Sequence, residues 1–119
     1  MRIITGTARG ARLQAPKGWR TRPTADRVKE SLFNILGTRV QGARVLDLFS
    51  GTGSLALEAL SRGAASAVLV DKATASVLRV NAVHTRLADR AEIRAGDVFA
   101  ELSRLGRAGR QFDLVFCDP

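Results

Sequence analysis

Apolar positions fall in two rhythms along this chain. Four short runs read as strands: ARVLDLF (43–49), SAVLVD (66–71), AEIRA (91–95) and FDLVFCD (112–118). Between them, GTGSLALEALSRG (51–63), ATASVLRVNAVHTRLA (73–88) and VFAELSRLG (98–106) carry helical spacing, with Val77, Val80 and Val83 in step on the second. Strands alternating with helices predict an α/β, doubly wound fold with a parallel sheet. Phe49, Leu55 and Leu60 read as core, and Cys117 as a small buried strand residue.

The first 42 residues follow a different pattern. RIITGT (2–7) and RLQA (12–15) predict a hairpin turning at ARGA (8–11), with Gly10 free to take a positive φ. PKGWRTRP (16–23) reads as a loop. TADRVKESLFNILG (24–37) predicts a helix with Thr24 as N-cap, Asp26 in the first turn and Gly37 at the stop. Val28, Leu32, Ile35 and Leu36 form its expected inner face, with Arg27 and Lys29 off it. The chain thus divides into a basic N-terminal extension (1–42) and a strand–helix portion (43–119).

Charge sharpens that division. The net charge is +8, and residues 1–44 alone sum to +8, which leaves residues 45–119 neutral. Sixteen of the nineteen basic residues are arginine, whose planar fork suits phosphate. A basic arm on a neutral body points to a polyanion, nucleic acid before others, against the alternative of a solvated face. Arg9, Arg12, Arg20, Arg22 and Arg27 are the candidate RNA contacts; Trp19 either stacks on a base or pins the loop. No apolar run approaches a membrane helix, and no secretory leader is visible, so a cytoplasmic setting is expected. His84 is the only histidine and has no second ligand in view, so no metal is expected.

The candidate chemistry lies at the strand ends. Gly51-Thr52-Gly53-Ser54-Leu55-Ala56 fits a G-x-G-x-x-A dinucleotide turn, and Asp71 follows twenty residues on. Spacing alone would admit NAD and an oxidoreductase. Asp47, four residues before Gly51, argues otherwise, because a carboxylate there repels a pyrophosphate. It would attract a cationic amino-acid end, such as that of S-adenosylmethionine. Asp71 is placed for ribose hydroxyls and Asp97 for an adenine amino group. Asp118 ends the fourth strand. One such Asp is commonly a helix cap or turn residue; four in succession, all at one sheet edge, point to a ligand.

VLDLFSGTGSLALEALSRGA, VLVDK, GDVF and a terminal DP resemble the ordered motifs of class I S-adenosylmethionine-dependent methyltransferases. RIITGTARGARL and RPTADRVKESLFNIL resemble the N-terminal signature of the bacterial 16S ribosomal RNA guanine-N2 methyltransferase family. The resemblance implies a Rossmann-like sheet, here its first four parallel strands in the order 3-2-1-4. It implies methyl transfer from S-adenosylmethionine to the exocyclic N2 of a guanine in 16S rRNA of the small ribosomal subunit. Cofactor contacts are then expected from Asp47, Phe49, Ser50, Gly51, Gly53, Asp71, Lys72, Asp97 and Val98. Thr24, Arg27 and Glu30 match the N-terminal signature, and that segment is expected to cover the methionine end. The family carries an Asp/Asn-Pro-Pro-aromatic motif after the fourth strand; Asp118 and Pro119 match its first half and are the candidate catalytic groups. The sequence is therefore expected to break off inside the motif, leaving cofactor binding without catalysis. A non-catalytic RNA-binding module and an NAD-dependent oxidoreductase remain the alternatives, with a DNA adenine methyltransferase as a closer variant, and the fourth strand is expected to expose an edge open to self-association.

Overall fold

A computed structural model describes residues 1–18 and 23–119, and within the first helix the side chains from Asp26 onward. Trp19, Arg20 and Arg22 lie outside the described residues, as does the side chain of Thr24. The elements are α1 (Pro23–Leu36), β1 (Arg44–Leu48), α2 (Ser54–Ser61), β2 (Ser66–Val70), α3 (Ala75–His84), β3 (Ala91–Arg94), α4 (Val98–Arg107) and β4 (Leu114–Cys117). All strand pairs are parallel, in the order β3-β2-β1-β4. This matches the order that the family resemblance implies, and it leaves β4 at an edge. Among the described residues, no helix is long and apolar enough to cross a membrane.

Each strand alternates its side chains between two layers. Val45, Ala67, Leu69 and Phe116 pack with Phe33 of α1, Leu57 and Leu60 of α2, and Leu78 and Ala82 of α3. Leu46, Leu48, Val68 and Val70 face the other way, against Val98 and Leu105 of α4. Three helices therefore cover one face and one covers the other. Ile3 and Leu13 of the N-terminal arm are buried in the three-helix layer.

The arm is a minimal hairpin. One antiparallel bridge joins Arg2 and Arg12, flanked by Ile3 N–H to Ala11 O (2.8 Å) and Leu13 N–H to Met1 O (2.9 Å). The turn is longer than the expected ARGA, because residues 5–8 bond to α2 instead of to each other. Thr7 N–H donates to Ser61 O (2.9 Å), and Ser61 Oγ accepts from Ala8 N–H (2.9 Å) and donates to Thr5 O (2.7 Å). Gly6 makes this possible. Its φ is +94°, and a Cβ there would fall on the Ser61 carbonyl, so no other residue fits without displacing the arm.

The inner face of α1 differs from the expected one. Val28 and Ile35 are 67% and 76% exposed, whereas Lys29 and Phe33 are each 2% exposed. Phe33 packs with its ring centre 5.8 Å from that of Phe116 and carries the Arg62 guanidinium 4.8 Å above its own ring, which joins α1 to β4 and α2. Lys29 Nζ donates to Arg2 O (2.7 Å) and Ser54 Oγ (2.9 Å) and pairs with Glu58 Oε1 (3.2 Å). Glu58, fully buried, also accepts from Ile4 N–H (2.8 Å), Thr5 N–H (3.1 Å) and Arg62 Nε (2.9 Å). Lys29, expected to lie off the inner face, thus points into the core, because a carboxylate meets it there. The helix also starts at Pro23, so Thr24 is its second residue and not its N-cap; proline at the first position suits a helix start.

On α3 the valine stripe is likewise outward. Val80 and Val83 are exposed, and Leu78, Asn81 and Ala82 are buried. Cys117 is exposed too: among the described residues β4 pairs with β1 alone, and its C-terminal end opens on a groove. Phe49 and Leu55 are only partly buried, while Leu60 is fully so.

Candidate active site

The strand register aligns the acids before any side chain is considered. Leu48 of β1 pairs with Val70 of β2 and Cys117 of β4. The next residues, Phe49, Asp71 and Asp118, therefore stand level at the C-terminal edge, with an acid on each side of β1. Asp47 lies one step inside that edge, and Asp97 follows β3 at the start of α4.

The chain leaves β1 through an unusual backbone. Phe49 has φ +59°, a left-handed conformation that costs a bulky residue of order 1–2 kcal/mol. It redirects the chain into the turn Ser50–Gly53. Gly53 has φ +83°, and a Cβ there would lie 3.0 Å from Leu78 Cδ2 and 3.2 Å from Leu57 Cδ1. Both its conformation and its close seat on the core require glycine. The turn closes with Gly53 N–H on Ser50 O (2.9 Å), and Ser50 Oγ donates to Asp47 O (2.8 Å).

Asp47 points into the three-helix layer, where Oδ2 accepts Ala56 N–H at 3.2 Å in the first turn of α2. It is only 2% exposed. Burial pushes its pKa up to about 7; the Ala56 N–H and Ser50 hydroxyl oppose this, and the Asp118 and Asp71 carboxylates add to it. Asp71 behaves in the opposite way. Burial works to raise its pKa, but the N–H groups of Ala73, Gly51 and Thr74 outweigh burial and hold it below the usual range. Its Oδ2 accepts Gly51 N–H (3.0 Å), and its Oδ1 accepts Ala73 N–H (2.8 Å) and Thr74 N–H (3.1 Å). Asp71 thereby orders both the glycine turn and the entry to α3.

The remaining positions are less constrained. Asp97 is exposed, and Oδ2 caps α4 through Ala100 N–H (3.0 Å). Val98, the next residue, is buried in the α4 layer, and Lys72 is exposed. Asp118 lines a groove of about 620 Å³ with Val28, Lys29, Ser54, Leu55 and Cys117. That groove brings α1 beside the end of β4, so the N-terminal signature helix and the terminal Asp118 share one wall. Pro119 is exposed. Arg9, Arg12 and Arg27 are exposed, and Arg12 lines a small groove with Arg2, Gly10 and Asp26. The structure so gathers Asp47, Phe49, Ser50, Gly51, Gly53, Asp71 and Asp118 at one edge, with Asp97 on its rim. Among the described residues, none of the four Asp side chains is ion-paired with Lys, Arg or His, and no group of His, Cys, Asp and Glu is arranged to hold a metal.

Two site residues escaped the sequence reading. Asn81 of α3 is buried, and its amide donates to Thr52 O (2.9 Å) in the glycine turn and to Gln14 O (2.9 Å), while Oδ1 accepts Gln14 N–H (2.7 Å). Ser54 receives the Lys29 bond at the start of α2. Both partnerships span distant parts of the sequence, and the one available signal was a lone polar residue between apolar helix positions.

A parallel sheet of this order, with a glycine turn after β1 and acids at successive strand ends, defines the class I methyltransferase fold. The chain belongs to the family described as "Conserved hypothetical protein 95", whose profile matches residues 1–119. It is 39% identical over its whole length to "Ribosomal RNA small subunit methyltransferase D" of Escherichia coli (strain K12), covering 59% of that protein. The solved structure of hypothetical protein TTHA0928 from Thermus thermophilus superposes with a TM-score of 0.83 at 34% identity, over 97% of this chain and 66% of that one. SMU.776, described as "a putative methyltransferase complexed with SAH", superposes at 0.66 with 25% identity, over 83% of this chain and 26% of that one. The chain spans about three fifths to two thirds of the length of the curated relatives that it matches along its whole length.

Proposed function

We propose that this chain binds S-adenosylmethionine at the β1–β2–β4 edge and acts in methyl transfer to the exocyclic N2 of a guanine in 16S rRNA of the small ribosomal subunit. The observation that carries the reading is the buried Asp47 carboxylate, set beside a glycine turn and flanked by Asp71 and Asp118 with no protein cation paired to it among the described residues. Such a site repels a pyrophosphate and favours a cationic ligand, which sets the NAD reading aside. The naming of the curated relatives as ribosomal RNA methyltransferases supports the same direction.

The residues fit the cofactor in kind. In this reading Asp47 takes the ammonium end, the Gly51–Gly53 backbone allows close approach, Asp71 holds the ribose, and Asp97 with Val98 meets the adenine. Phe49, Ser50 and Lys72 frame the turn, and the Thr24 segment of α1 closes over the methionine end. The bound cofactor supplies an electrophilic methyl group on a sulfonium. Asp118 and the Pro119 carbonyl accept hydrogen bonds from the incoming amine, which localises a lone pair otherwise delocalised into the ring; holding the two reactants in line supplies proximity, and the proton that the amine gives up passes to the Asp118 carboxylate. Arg9, Arg12, Arg20, Arg22 and Arg27 of the extension (1–42) contact RNA phosphates, and residues 43–119 form the cofactor-binding portion.

Incubating the chain with methyl-labelled S-adenosylmethionine and small ribosomal subunits tests this. The chain is expected to retain the labelled cofactor, and any label that reaches 16S rRNA is expected to fall by roughly 100-fold in Asp118→Ala. Particle binding with no labelled cofactor retained would instead support the non-catalytic RNA-binding module.

A further inference from the structure

The strongest unassigned feature is Asn81. It lies on the inner side of α3, 1% exposed, and spends its three hydrogen bonds on backbone groups of two distant segments. Two of these bind Gln14 at the end of the basic arm; the third holds the carbonyl of Thr52, the central residue of the glycine turn. Gly51 is fixed from the other side by Asp71, and Gly53 by Ser50 O. Thr52 O has no other protein partner among the described residues.

We propose that Asn81 is a positioning residue that holds the glycine turn in its cofactor-ready shape and fastens the basic arm to it. The proposal rests on the reading of that turn as part of the cofactor site. The chemistry requires an amide. A carboxylate at 81 would keep the bond from Gln14 N–H but set a charge against the carbonyls of Thr52 and Gln14, and alanine would leave all three groups unpaired. An amide is neutral, carries donor and acceptor together, and satisfies both segments at once.

Amide exchange at Gly51 and Gly53 and the dissociation constant for S-adenosylhomocysteine test the proposal. Asn81→Ala and Asn81→Asp are expected to speed exchange at both glycines about tenfold and to weaken S-adenosylhomocysteine about tenfold. Ser61→Ala is the control, because it loosens the arm from α2 away from the turn. It is expected to lower thermal stability while leaving both readouts within about twofold. Glycine exchange and affinity unchanged in folded Asn81→Asp would overturn the proposal. If the parent chain ignores S-adenosylhomocysteine, the cofactor reading fails, and glycine exchange still decides whether Asn81 holds the turn.

Discussion

Glu58→Ala is expected to lower the stability of the chain by about 3–5 kcal/mol, a large share of what a domain of this size possesses. The substitution leaves buried Lys29 with hydrogen bonds to Arg2 O and Ser54 Oγ alone among the described residues, and frees the N–H groups of Ile4 and Thr5. It also removes the anchor of Arg62 over Phe33. Urea unfolding should show the midpoint falling by about 2–3 M, for a slope of about 1.5 kcal/mol per M. Lys29→Leu combined with Glu58→Leu should lose less than Glu58→Ala, because the lysine charge is no longer left buried without its carboxylate. A midpoint shift below about 1 M for Glu58→Ala would contradict the role given to this cluster.

Asp47→Asn is expected to act in opposite directions on stability and on binding. In the free protein the carboxyl keeps its proton up to about pH 7, whereas in the unfolded chain it ionises near 3.8. Between those values the folded state binds the extra proton, so stability falls as pH rises, by roughly 1.4 kcal/mol per pH unit at most. Above about pH 7 the fold carries the full cost of a buried charge. The asparagine side chain keeps the bond from Ala56 N–H, removes that charge and should flatten the profile, leaving the variant more stable than the parent at about pH 8. Affinity for S-adenosylhomocysteine should fall by roughly 10- to 100-fold, since the ammonium loses its charged partner. The parent's own affinity should weaken below about pH 7 as Asp47 becomes neutral. Equal stability curves for the two proteins, or unchanged affinity in the variant, would contradict the assignment. A carboxylate that costs stability when nothing is bound is what a ligand site requires and a structural cap does not.

The features legible in the sequence share one property: each is carried by neighbouring residues. The period-2 runs located the four strands, the glycine turn stood next to β1, and the acids came at strand ends, which a parallel sheet necessarily collects on one edge. What was not legible depended on partners far along the chain. Lys29 reads as an outward residue until Glu58 is placed beside it. Val28 and Ile35 read as inward until the Phe33–Phe116 contact fixes the rotation of α1. Asn81 reads as a polar interruption of a valine stripe until Gln14 and Thr52 are seen to converge on it. Asp97 shows the other limit, because its capping bond to Ala100 and a proposed ligand contact leave the same trace in the sequence.

Above all, the acidic edge is expected to select a nucleoside that carries an amino-acid ammonium over a dinucleotide. Isothermal titration of the chain with S-adenosylhomocysteine and with NADH in parallel tests this most directly, at about pH 8, where the Asp47 carboxyl is ionised. The expected result is saturable binding of S-adenosylhomocysteine that is lost in Asp47→Asn, and no heat from NADH beyond dilution. Tight binding of NADH with no response to S-adenosylhomocysteine would contradict it.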